Sequence, residues 1–173
     1  MSWSEPLPRR RLLLLAAALP LAGCNLRPLH GGARGAALNR DLAAVEVDPA
    51  DRRLDQTMRN FLIEELNPAG VQLPPEYRLT VVLQRAKNAL AIQLDDVATR
   101  FDLSLAATFE LKAKADSRVL YRSAIRRVVS YNVRSEPFAT LVAEQDAERR
   151  AAREVSRQIR TQLALYFAKA AEK

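Results

Sequence analysis

Apolar and polar residues alternate most regularly where Phe101, Leu103, Leu105, Ala107, Phe109 and Leu111 interleave with Asp102, Ser104, Ala106, Thr108, Glu110 and Lys112. A period of two predicts a strand with one oily and one wet face. Tyr77, Leu79, Val81 and Leu83 alternate in the same way with Arg78, Thr80 and Gln84, and the run continues through Arg85 and Lys87 toward a turn near Asn88. After the turn pair Asp116-Ser117, the residues Val119, Tyr121, Ile125, Val129, Tyr131 and Val133 predict a further strand, with Ser123 and Arg127 interrupting its apolar face. Leu42-Ala-Ala-Val45-Glu-Val47 is a shorter alternating run and reads as the first strand.

Two segments carry helical spacing instead. Leu54, Met58, Phe61, Leu62 and Leu66 recur on one face until Asn67-Pro68 stops the helix, with Asp48 expected as N-cap and Pro49 at the first helical position. A longer helix is expected to open near Ser135-Glu136-Pro137 and run to about Ala170. Its apolar face reads as Phe138, Leu141, Val142, Ala152, Val155, Ile159, Leu163 and Tyr166, with Glu144, Glu148, Arg149, Arg153, Arg157 and Arg160 largely on other faces. Such a helix spans on the order of 50 Å. The pattern predicts an α+β two-layer sandwich: a mostly antiparallel four-stranded sheet covered on one face by two helices, in the order β-α-β-β-β-α.

The first two dozen residues do not belong to that fold. Arg9-Arg10-Arg11 precedes the apolar run Leu12 to Leu19, then Pro20 and Leu21-Ala22-Gly23-Cys24. The run is far shorter than the about 20 residues a helix needs to cross a bilayer, so it reads as an export signal, not a permanent span. Leu-Ala-Gly-Cys resembles the bacterial lipobox, which implies cleavage before Cys24 and a diacylglycerol on its sulfur. A thioether there also removes the liability of a lone thiol in an oxidising compartment. Residues 1–23 are therefore expected to be a lipoprotein signal peptide, 24–40 a lipidated flexible tether containing Gly31, Gly32 and Gly35, and 41–173 a single domain.

Composition narrows the function. With 27 Lys+Arg against 20 Asp+Glu and a net charge of +7, the chain is basic, but the charge is spread over every segment. One Cys and one His leave no internal disulfide and too few ligands for a zinc site of the usual kind. His30 reads as a surface residue of the tether, and Asp95-Asp96 as a solvated turn without further oxygen ligands for a metal. The sequence contains no Gly-rich phosphate loop, HExxH, GxSxG or DxDxDG motif, so neither an enzyme nor a bound cofactor is expected.

Binding remains. Arg85, Lys87, Arg100, Arg122, Arg126 and Arg127 cluster near strands and hairpin ends, where they are suited to phosphorylated sugars. Adjacent strand residues point to opposite faces, so one of Arg126 and Arg127 must lie on the apolar side or at its rim. Arg127 is expected to be paired or close to a strand end, because an unpaired buried guanidinium is costly. Nucleic acid is not expected as a partner of a secreted chain without an aromatic-basic platform.

Two stretches carry a family resemblance. Cys24-Asn-Leu-Arg27-Pro28-Leu29-His-Gly31 is similar to the Cys-Gly-Phe-Arg-Pro-Leu-Tyr-Gly start of mature LptE-type lipoproteins, from which it departs at Asn25, Leu26 and His30. Leu141 to Arg150 and Leu163 to Phe167 resemble the C-terminal helix of the same family, in its alphaproteobacterial branch. The resemblance implies an outer-membrane lipoprotein, lipidated at Cys24, that plugs the LptD β-barrel, helps that barrel assemble and assists lipopolysaccharide delivery to the cell surface. Asn25 after the cysteine is compatible with outer-membrane sorting. Arg85, Lys87 and Arg126 are the expected lipopolysaccharide contacts. The competing binding role is an auxiliary periplasmic lipoprotein of a lipid-transport ABC system; a lipid-anchored hydrolase would need a nucleophile and base that the sequence does not offer.

Overall fold

The computed structural model describes residues 32–92, 98–133 and 136–172, with side chains from Gly35 to Ala89, Arg100 to Val133 and Glu136 to Glu172. The signal segment, Cys24, His30 and Asp95-Asp96 lie outside the described residues. In chain order the elements are α1 (Gly32–Ala43), β1 (Val45–Val47), α2 (Arg53–Leu66), β2 (Tyr77–Ile92), β3 (Ala98–Ala113), β4 (Val119–Asn132) and α3 (Pro137–Ala170). The α+β sandwich and its mostly antiparallel four-stranded sheet are as expected, with two differences.

The first difference is α1. Residues 32–40, read as flexible tether, are helical. Gly32 and Gly35 weaken only its start; Ala36, Ala37, Leu38, Arg40 and Leu42 are strong helix formers, and Leu38 and Leu42, one turn apart, are both buried, so propensity and tertiary packing act together. Leu42 consequently belongs to a helix, and the first strand shrinks to Val45–Val47.

The second is the start of α2. It begins at Arg53, not Pro49, and its N-cap residue Arg52 makes no side-chain capping bond. Asp48 is not a cap because its carboxylate is engaged elsewhere: it accepts the Thr80 hydroxyl at 2.7 Å and lies 3.6 Å from the Arg78 guanidinium. The helix does end at Leu66, where Pro68 follows.

The sheet is mostly antiparallel, as expected, with one parallel pair. Its strand order is β1-β2-β3-β4; β1 runs parallel to β2, while β2–β3 and β3–β4 are antiparallel hairpin partners. The β3–β4 turn places Ser117 at φ 56°, held by the Arg118 amide donating to the Asp116 carboxylate at 3.1 Å. β1 pairs only with Tyr77 to Leu79, so most of the long β2 has no neighbour on that side among the described residues.

All the helices that pack on the sheet cover the same side. There Leu103, Leu105, Ala107, Phe109 and Leu111 of the central strand are completely buried against Met58 and Leu62 of α2 and Val155, Ile159 and Leu163 of α3. Removing these faces from water, at about 25 cal/mol per Å², is the main force holding the two layers together. The opposite side of the sheet carries no layer among the described residues.

Candidate functional site

Register places cations on the covered side of the sheet. Arg85 lies opposite Leu105 and Lys87 opposite Leu103, so both continue the line of Leu79 and Leu83 that faces the helices. A cation on that line needs a counter-charge, and α3 supplies two carboxylates one turn apart, Glu144 and Glu148.

Glu148 is 1% exposed, and it is held by ion pairs to Arg53 of α2 and Arg85 of β2. Glu144 accepts from Lys87 Nζ at 3.1 Å, the Tyr131 hydroxyl at 3.2 Å and Arg85 at 3.4 Å. Lys87 also sits 5.2 Å from the centre of the Phe101 ring. The cluster therefore bolts α3 to α2, β2 and β4 at once.

The electrostatics follow from this geometry. Partial burial works to raise the Glu144 pKa, but Lys87, the Tyr131 hydroxyl and Arg85 together hold it below the ordinary carboxylate value. The hydrogen bond to Glu144 raises the Lys87 ammonium, and burial beside the Glu144 charge raises the Tyr131 phenol. Each charge is spent on a neighbour, which makes the cluster a fastening and not a reaction centre.

These acidic residues were expected on outward faces of α3, and the structure reverses that. In the first turns the carboxylates point inward, whereas Phe138, at 77% exposure, Leu141 and Val142 point to solvent. From Ala151 onward the expected apolar face holds, with Ala152, Val155, Ile159 and Leu163 all buried. The signal that could have located the cluster was present: two cations on a core-facing strand line demand a pair of carboxylates at i, i+4.

Arg126 lies on the other side of the sheet. It stands opposite Ala106, and its Nε donates to Ser104 Oγ at 2.7 Å. The sheet thus brings Arg85 and Lys87 together and separates both from Arg126. Around Arg126 the open face carries Arg122, paired to Glu110 at 2.6 Å, with Lys112 beside the same carboxylate at 3.4 Å. Val82 and Val128 are exposed there. Arg127 does lie on the covered side, opposite Leu105, but mid-strand and exposed, with no ion pair among the described residues. The outer edge of β4 has no neighbouring strand among the described residues, so the Arg127 side chain reaches water past the sheet rim. Among the described residues no group of His, Cys, Asp and Glu is arranged to hold a metal, and no helix is long and apolar enough to cross a membrane.

The family model for LptE, described as lipopolysaccharide-assembly, matches residues 42–163, from the end of α1 through most of α3. The chain belongs to the LptE family. This LptE-family chain is therefore a non-enzymatic lipopolysaccharide-assembly lipoprotein, and it is similar in fold to known lipoproteins. A crystal structure of a protein assigned as a lipoprotein from Caulobacter crescentus CB15 superposes with a TM-score of 0.65 at 24% identity, over 77% of this chain and 97% of that one. A minor lipoprotein from Acinetobacter baumannii superposes with a TM-score of 0.52 at 19% identity, over 70% and 88% of the two chains. No curated relative matches in sequence. A membrane-anchored location fits a lipoprotein family.

Proposed function

We propose that this LptE-family chain is an outer-membrane lipoprotein, anchored through a lipidated Cys24, that sits inside the LptD β-barrel. It plugs the barrel, helps it assemble and assists insertion of lipopolysaccharide at the cell surface. The observation that carries this reading is the family match over residues 42–163. The one-sided architecture supports it: a domain that keeps its whole core on one side of the sheet leaves the other side free for a partner.

Within that reading Arg126 is the foremost lipopolysaccharide contact. It stands on the open face, bonded among the described residues only to a neutral hydroxyl, and a guanidinium so placed is able to turn its remaining donors to a phosphate. Arg85 and Lys87 contribute less, because Glu144 and Glu148 already balance their charge. Their half-exposed ends leave them a secondary role at the rim.

The test is co-purification of the tagged full-length chain, expressed with its leader, from detergent-solubilised envelopes. Recovery of a large β-barrel protein with bound lipopolysaccharide, loss of membrane attachment in Cys24→Ser, and weaker lipopolysaccharide binding in Arg126→Ala are the expected results. Recovery of an inner-membrane ATPase complex without a barrel overturns the reading.

A further inference from the structure

Strand β4 ends the sheet, and no described residue pairs with its far side. The bonds Tyr77 N–H to Ala44 C=O and Asp48 N–H to Leu79 C=O point the odd residues of β2 toward β1. By the alternation of antiparallel ladders, the even residues of β4 then turn their amides and carbonyls away from β3. Arg122, Ala124, Arg126 and Val128 therefore present a row of unpaired backbone groups along an uncovered edge.

Two further observations describe what fits there. The segment Val119–Asn132 contains Arg122, Arg126 and Arg127 and no carboxylate; Arg122 is paired to Glu110 of β3, which leaves Arg126 on the open face and Arg127 on the covered one as the edge's uncompensated cations among the described residues. Beside it, a groove of about 550 Å³ is lined only by β4 and α3, with Tyr121, Leu165, Tyr166 and Lys169 among its walls. Isolated edges of this length template pairing by another chain, and proteins guard them with charge. Here Arg126 and Arg127 leave the guard net positive, which repels a second copy of this strand and attracts an acidic one.

We propose that the β4 edge accepts an extended, acidic polypeptide segment of a partner protein as a fifth strand. Its backbone pairs with Arg122 to Val128. Its side chains alternate, with apolar ones entering the groove beside Tyr121 and Leu165 and carboxylates meeting the arginines. The residues Cys24 to Gly31 of this chain contain no carboxylate, so charge disfavours them as the occupant. The inference goes beyond the lipopolysaccharide reading and stands or falls without it.

The test uses the full chain in detergent micelles and the capped peptide Val-Glu-Val-Glu-Val-Glu-Val at millimolar concentration, followed by amide NMR shifts and hydrogen exchange. The amides of Arg122, Ala124, Arg126 and Val128 are expected to shift and to exchange about tenfold more slowly, the scale of one hydrogen bond gained. The lysine counterpart of the peptide is expected to leave them unchanged. Ala124→Pro deletes an outward N–H without touching the β3 ladder, which edge strands tolerate, and is expected to weaken peptide binding about tenfold. Should that variant fail to fold, exchange in the unaltered chain still decides. Absence of any shift, protection at Val81 and Leu83 of the β2 edge in place of β4, equal binding of the lysine peptide, or unweakened binding by a folded Ala124→Pro variant each overturns the proposal.

Discussion

On the covered side of the sheet, Leu103, Leu105, Ala107, Phe109 and Leu111 of β3 lose all contact with water, while Ala106, Thr108 and Glu110, which alternate with them, meet no second layer among the described residues. One backbone thus serves two environments at a spacing of a single residue. The covered side is filled by apolar packing at the α3 end near Leu163 and by the Glu144–Glu148 charge cluster at the end near Arg85. The open side holds paired polar residues with Val82 and Val128 left exposed at 56% and 52%. Stability is concentrated on one face, and the other contributes little to it.

Substitutions sharpen that contrast in a definite order. Leu163→Ala, on the covered side, removes a fully buried side chain and is expected to cost about 2–5 kcal/mol in denaturant unfolding. Replacing both Arg53 and Arg85 by Met strands the buried Glu148 carboxylate and is expected to cost about 3 kcal/mol. Glu148→Leu instead removes the buried charge itself, so its cost is expected to stay within about 1 kcal/mol or to become a gain. A Glu148→Leu loss as large as that of the double arginine variant contradicts the asymmetry.

Acid gives a smaller effect of fixed sign. Glu144 titrates below 4.5 in the folded chain, so its contribution is present above that pH and is lost as pH falls through the depressed folded value. Lys87 titrates above 10.5, so its contribution is complete below that value and is lost only as pH rises past it. Unfolding curves of Glu144→Gln between pH 5 and pH 3 are expected to fall less steeply than those of the unaltered chain; parallel slopes contradict the assignment. The smallest change belongs to the open face, where Val82→Ser and Val128→Ser are expected to alter stability by no more than about 0.5 kcal/mol.

The strands and the sandwich were legible in the sequence because β2, β3 and β4 repeat apolar residues at period two over long runs. The two main helices were legible from the stripes ending at Leu66 and Leu163. Other features depended on contacts between distant residues. Helix α1 is docked by burial of Leu38 and Leu42, with its Ala-rich sequence favouring the helix once the two glycines are passed, and Asp48 is drawn off its capping role by Thr80 and Arg78. At the start of α3 hydropathy misled, because Arg53, Arg85 and Lys87 supply partners that make Glu144 and Glu148 the inward residues and leave Phe138 outside. Of the expected binding residues, the sequence brought Arg85 and Lys87 to one side, yet only strand register reveals that Arg126 lies across the sheet.

The claim that the open face is the working surface is tested most directly by photocrosslinking in intact envelopes, with the probe at Val128 on that face or at Arg157 on the outer surface of α3. The account predicts adducts with lipopolysaccharide from position 128 and none from position 157, and stronger adducts with the β-barrel protein from 128 than from 157. Adducts from 157 with none from 128 would contradict it.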